Sequence, residues 1–196
     1  LGAGGGRYSL QFAARGFAVT AFDRDLALLE TAQERGRTMG GKLRTALLDL
    51  DHIASIKKRL AGSFGAVFLF DILEHTGDDQ AVLKAVRPHV RRRVFINVPR
   101  ETPAELREKG LLFGAYQDLG HRRYYDEESL ARLARKAGFK VLHLEPLNEY
   151  APQAFMPLLF EPKHLPSRII SRLLYGRTRL VRYRRFWNSV AAVLAP

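Results

Sequence analysis

Apolar and polar positions alternate in blocks along this chain, and the period changes from block to block. Residues 17–22, 43–48, 64–70, 93–98 and 140–144 are apolar at most positions and read as strands, those without alternation being buried on both faces. Residues 7–15, 26–34, 53–60, 79–86 and 127–137 have helical spacing. In the last of these, Leu130, Leu133, Ala134 and Ala137 share one face. Gly16 and Gly138 stand where a helix ends in a left-handed residue, Gly36 marks the end of the second helix, and Pro88 stops the fourth. Asp23, Asp49, Asp71 and Pro99 close four of the strands. Helices alternating with buried strands predict a doubly wound α/β fold on a mostly parallel sheet. Such folds bind ligands at the carboxyl ends of the strands, where these aspartates stand.

Composition narrows the class. A chain of 196 residues suits one domain with room for a small appendage, and 46% hydrophobic residues supply a core. No run of 18 apolar residues predicts a transmembrane helix, and the N-terminus has neither an initiating Met nor a signal-peptide pattern. The absence of Cys excludes disulfides and thiolate metal sites and fits a cytoplasmic location. Of the net charge of +12, eight charges lie in residues 162–196, as Lys163 and seven arginines with no acid. The basic character therefore belongs to a tail, and nucleic acid is disfavoured as a partner of the whole domain.

Candidate chemistry begins at the first residues. Gly2, Gly4 and Gly6 alternate, with Gly5 between, directly before the first helical segment. A glycine turn opening a helix lets a ligand approach the backbone and meet free N–H groups. A dinucleotide fingerprint, G-x-G-x-x-G, fails at Arg7. The plain alternative is a glycine-rich frayed terminus. Asp23 follows Gly6 by 17 residues. It can accept from both hydroxyls of a ribose or cap the next helix, and the glycine turn at this spacing favours the ribose. Arg24 beside it either pairs with Asp23 or faces solvent. Asp49 can accept from the exocyclic amine of a base while the Leu50 N–H reaches a ring nitrogen; a plain turn aspartate is the alternative, and Asp51 is a competitor.

Taken in order over residues 1–146, G-A-G-G-G, V-T-A-F-D, L-L-D-L, F-L-F-D-I-L-E-H, V-F-I-N-V-P and G-H-R-R-Y-Y-D-E-E-S-L-A-R-L-A-R-K-A-G-F-K-V resemble the class I S-adenosylmethionine (SAM)-dependent methyltransferases. The likeness is to the small-molecule branch that includes the ubiquinone-biosynthesis O-methyltransferases. The resemblance implies a Rossmann-like seven-stranded sheet with S-adenosyl-L-methionine as cofactor. It implies that Gly2, Gly4 and Gly6 accommodate the methionine moiety, Asp23 with Arg24 the ribose, Asp49 and Leu50 the adenine, and that the Phe70 backbone lines the cofactor. The family places an apolar strand before the first glycine, and this chain begins at Leu1. The expectation is a truncated core lacking most or all of its first strand, with a gap in the sheet.

In the reaction the resemblance implies, a nucleophile attacks an activated methyl, so the protein aligns the reactants and removes a proton. His75 and His121 are the candidate catalytic bases, against a structural hydrogen bond or plain exposure for each. Tyr124 and Tyr125 read as packing or lid residues. Asp71, Glu74, His75 and His121 offer two carboxylates and two imidazoles, a donor set open to a divalent metal. The plainer reading, in which Glu74 and His75 cap the next helix and shape the pocket, is preferred, and no metal is assigned.

In residues 166–187, Ile169, Ile170, Leu173, Leu174, Leu180 and Val181 form an apolar stripe at roughly helical spacing, with Phe186 and Trp187 at its end. The stripe can pack on the domain, lie on an anionic membrane surface, or bring a lipid-linked substrate to the site. Residues 189–194 read as a last strand, antiparallel to 141–144. The expected organisation is a SAM-binding core over 1–146, a basic insertion or substrate cap over 147–187, and the core's last strand over 188–196. The expected function is methyl transfer to a small-molecule or lipid-linked acceptor, at oxygen by family likeness. The alternatives are a nucleic-acid methyltransferase using the basic tail and a non-catalytic SAM-binding module. Peripheral membrane contact through the tail is part of the expectation.

Overall fold

A computed structural model describes residues 1–60, 62–108, 114–150 and 186–196. Strands and helices alternate from the start: α1 Ser9–Ala14, β1 Val19–Asp23, α2 Leu26–Thr38, β2 Leu43–Leu47, α3 Ile53–Arg59, β3 Phe64–Phe70, α4 Asp79–Val86 and β4 Val90–Pro99. A short α5 Ala104–Arg107 follows, then α6 Glu127–Lys136, β5 Lys140–Tyr150 and β6 Phe186–Ala195. β1 and β2 pair in parallel, with Asp23 opposite Leu47. The second sheet has the order β3-β4-β6-β5, parallel between β3 and β4, with β6 antiparallel to both neighbours. Leu69, Val94, Ile96 and Leu194 are essentially unexposed, each stabilising the fold by about 2 kcal/mol through burial. Leu130 and Ala134 of α6 join them, as the helical stripe predicts.

Local signals set most boundaries. Asp25, Asp78 and Asp126 cap α2, α4 and α6, accepting from Leu28, Ala81 and Ser129 amides. Gly16 and Gly138 take positive φ after α1 and α6. Gly36 departs from expectation: α2 runs past it to Thr38. A Cβ there would meet Leu43 Cδ2 at 3.0 Å, so this glycine lets α2 approach β2 closely. The left-handed residue that follows the helix is Gly40. β4 begins earlier and β5 ends later than the apolar runs suggest, because pairing carries them past their apolar centres. Phe186 and Trp187 open β6, opposite Tyr150 and Glu149, rather than ending a helix. The apolar and arginine stripe of residues 166–185 lies outside the described residues.

A cavity of about 380 Å³ lies between β1 and β3, walled by Phe12, Phe22, Phe64 and Phe68 among others. The first residues close its upper end. The Leu1 amine donates to Phe68 O at 2.9 Å and the Ala3 amide to Phe22 O at 2.9 Å. The glycine turn is thereby suspended between the carboxyl ends of β1 and β3.

Candidate functional site

A cleft of about 250 Å³ opens at the carboxyl ends of β1, β2 and β3. Its lining includes Gly2, Asp23, Arg24, Asp49, Leu50 and His75. Six of the ten residues singled out in the sequence thus meet on one surface. Asp51, Asp71, Ile72 and Thr76 complete much of the wall, together with Leu48. No helix among the described residues is long and apolar enough to cross a membrane.

Backbone geometry makes the acid positions. Asp23 accepts from the Gly4 amide on Oδ2 at 2.7 Å and from the Asp25 amide on Oδ1 at 3.0 Å. Since Asp25 caps α2, Asp23 is free of that role. Asp49 accepts from the Asp51 amide at 2.9 Å and faces His52 Nδ1 at 3.1 Å. The Asp51 amide, with His52, holds the Asp49 carboxyl below its usual range, against the opposing effect of burial. Each carboxylate has about four lone-pair sites, so both retain acceptor capacity toward the cleft. Asp51, the competitor of Asp49, lines the same cleft, and its Oδ1 accepts from the Gly77 amide at 2.7 Å and ties the two rims together.

The glycines divide in their duties. A Cβ on Gly2 would fall onto the Ile72 side chain, at φ 62°. Gly4, at φ 51°, has open space where a Cβ would be. Gly6 is buried, and a Cβ there would meet Ala32 Cβ at 3.0 Å and Leu10 Cγ at 3.1 Å. The Gly6 position therefore serves packing of α1 on α2. Gly4 and Gly6 stay outside the cleft lining, as does Phe70, which lines the inter-sheet cavity with its ring 5.0 Å from Tyr8.

The other wall is built by long-range contacts. His75 sits in a single helical turn, Leu73–His75, after β3. Its Nδ1 lies 3.1 Å from Gly120 O. A carbonyl only accepts, so Nδ1 carries a proton, and in the neutral ring Nε2 is the nitrogen with the lone pair. His121 stands behind it, with ring centroids 4.7 Å apart and a side chain 9% exposed. It is absent from the cleft lining. Glu74 is wholly buried, and neither oxygen has a hydrogen-bond partner among the described residues. Burial pushes its carboxyl up to about 8 against the opposing effect of its own backbone amide, with Asp71 and Asp118 adding negative charge. Donor atoms of Glu74, His75 and His121 lie within 4.8 Å of one another. Asp71 is engaged elsewhere, accepting from Asn97 Nδ2 at 2.9 Å at a strained φ of 54°. The helix-cap reading of Glu74 and His75 is corrected, since Asp78 caps α4.

The segment after His121 clamps this wall. The Arg122 amide donates to Glu74 O, Arg123 donates to the carbonyls of Leu73 and Gly77, and Tyr125 OH donates to Asp79 at 2.8 Å. Tyr124 stacks on Tyr116 at 3.9 Å. Burial and the adjacent Asp79 carboxylate push the Tyr125 hydroxyl up, consistent with packing and against a role as base. The sequence offered no signal for Asn97, Gly120 or Thr76 at this site, because their places depend on pairing and loop packing.

Residues 1–144 match a family profile described as a methyltransferase domain. The fold is similar to magnesium protoporphyrin IX methyltransferase from Synechocystis PCC 6803, solved with bound SAH, at 15% identity, 99% of this chain, 71% of that chain and a TM-score of 0.63. It is similar to a SAM-dependent methyltransferase from Archaeoglobus fulgidus, at 16% identity, 100% and 83% coverage and a TM-score of 0.64. The [4+2]-cyclase SpnF is a further likeness, at 15% identity, 99% and 72% coverage and a TM-score of 0.62. No curated protein matches the sequence significantly.

Proposed function

The chain belongs to the methyltransferase-domain family, with S-adenosyl-L-methionine as its methyl donor, and on that premise we propose that it methylates an oxygen of a small or lipid-linked acceptor with His75 as the base. The observation that carries this is the single cleft holding Gly2, Asp23, Asp49, Leu50 and His75 at the strand ends. SAM supplies a methyl already activated on a sulfonium. The residues fit it: Asp23 and Asp49 keep free acceptor sites toward ribose hydroxyls and an exocyclic amine, and Gly2 leaves the floor without a side chain.

The chain's own contribution is alignment and proton removal. His75 faces the cleft with Nε2 free to accept, while Gly120 O holds its ring in place. A hydroxyl presented to Nε2 gives up its proton as its oxygen gains the methyl. His121 is assigned a supporting place, since it is screened from the cleft by its neighbours. Arg24, exposed at the rim, is assigned to the ribose side. The domain division is proposed with the core over 1–146, a cap over 147–187 and a final strand over 188–196. Assignment to the ubiquinone-type branch, and membrane contact through the basic segment, rest on sequence likeness and composition. The nucleic-acid alternative rests on the same arginine segment and gains no support from the described residues.

Isothermal titration with SAH tests the reading. Micromolar binding that is lost in Asp23→Ala is expected. A folded protein that takes up no SAH would sink it.

A further inference from the structure

Glu74, His75 and His121 bring one carboxylate and two imidazoles together, with donor atoms within 4.8 Å of one another. They come from two segments far apart in the chain, the single turn Leu73–His75 and the loop that carries Gly120 and His121. Glu74 is 0% exposed and the His121 side chain 9%. Both Glu74 oxygens and His121 Nδ1 lack a hydrogen-bond partner among the described residues. An apolar side chain of similar size would avoid the desolvation penalty of that carboxyl, whereas a cation held against it would offset the penalty.

We propose that these three side chains form a site for a borderline divalent metal, represented by Zn²⁺, and that the bound ion takes the lone pair on His75 Nε2 that the acceptor's proton would otherwise use. The link to the acceptor's proton rests on His75 being the base; the metal site does not. Two imidazoles with one carboxylate suit zinc and similar ions better than magnesium or calcium, which prefer oxygen ligands throughout. His75 has the orientation of a ligand. Its Nδ1 donates to Gly120 O at 3.1 Å, the kind of bond that orients metal-binding imidazoles, and Nε2 is left as the available nitrogen. His121 Nε2 lies 4.0 Å from Glu74 Oε1 and 3.4 Å from Asp118 Oδ2. Ligands about 2.1 Å from a tetrahedral ion stand roughly 3.4 Å apart, so the group closes on the ion by about an ångström. Asp71 and Asp118 add negative charge beside Glu74, while the Arg123 guanidinium is engaged by Leu73 O, Gly77 O and Asp79. With the ion bound, Glu74 is ionised and both rings are neutral ligands, so the metal-loaded chain has no free base.

Calorimetry of the tag-free, chelator-treated chain with Zn²⁺ tests the site without an acceptor. One Zn²⁺ per chain is expected, and excess Mg²⁺ is expected not to displace it. A folded chain that takes up no stoichiometric Zn²⁺ overturns the proposal, as does equal competition by Mg²⁺. In nitrogen NMR of the wild type, which needs no variant to fold, Zn²⁺ is expected to shift His75 Nε2 and the His121 ring while His52, His89 and His143 stay in place. Shifts confined to those three overturn it. Glu74→Gln, of the same shape, and His121→Ala are each expected to weaken Zn²⁺ by roughly 100-fold, at least the cost of losing a residue that merely supports a ligand. Unchanged affinity in either variant overturns the site. The base assignment fails separately: undiminished methyl transfer by the metal-free His75→Ala chain would remove the competition with the acceptor's proton and leave the zinc measurements standing.

Discussion

The two walls of the cleft are made in opposite ways. On the β1–β2 wall, Asp23 and Asp49 each take a hydrogen bond from the amide two residues on, and the Asp51 amide keeps Asp49 ionised. Each of these is satisfied largely within its own turn, with the Gly4 amide as an addition from 19 residues away. On the β3 wall, His75 depends on a carbonyl 45 residues away, and the buried Glu74 carboxyl has no hydrogen-bond partner among the described residues. Locally satisfied acids stand ready at the cleft surface with acceptor sites to spare. Groups desolvated by distant chain segments acquire shifted proton affinities, as active-site groups do. On the proposed reading, the difference divides binding and proton chemistry between walls of different construction.

Variants can break that division, and the largest effect belongs to the proposed base. His75→Ala is expected to lower kcat by roughly 10²–10⁴-fold, the usual worth of a general base, while SAH affinity stays nearly unchanged in calorimetry. A loss of SAH binding in this variant would erase the contrast. Asp23→Ala removes charge-assisted bonds worth about 1.5–3 kcal/mol each, so SAH affinity should fall about 100-fold. Asp49→Ala, which removes one such bond, is expected to weaken SAH about tenfold, and equal losses at both sites would argue against the division of labour within that wall.

Stability gives the finer contrast. Glu74→Met removes a buried unpartnered carboxyl and is expected to raise stability by about 1–2 kcal/mol, read as a higher Tm. A lower Tm would mean that Glu74 holds the fold together. Asp126→Ala deletes the α6 cap, a locally satisfied carboxylate remote from the cleft, and should cost about 1 kcal/mol. The Ser129 amide holds the Asp126 carboxyl below its ordinary value of 3.8. That cap's contribution is therefore complete above the ordinary value and disappears as pH falls through the lowered one. The gap between wild type and Asp126→Ala should close in acid, as denaturant midpoints across that range would show.

Much of this molecule was legible in its residues. Glycines at alternate positions, strand-ending aspartates and the α6 stripe placed the elements, the α/β class and the cofactor-side wall, because each reflects forces acting within a few residues of itself. Gly36 was misplaced as a helix end because its reason is contact with Leu43, and Gly6 was given to the cofactor although it packs on Ala32 and Leu10. Asp25 rather than Asp23 caps α2, a choice between neighbours settled by chain direction at the end of β1. Pairing in register carried β5 to Tyr150 and drew Phe186 and Trp187 into β6. By itself the sequence determined which segments form strands and helices and which acids stand at their ends, since periodicity and turn chemistry are local. Only the tertiary structure decided that His75 lines the cleft, that His121 stands behind it and that Glu74 is buried. Burial and proton affinity depend on what distant segments exclude from solvent, and no local pattern carries that information.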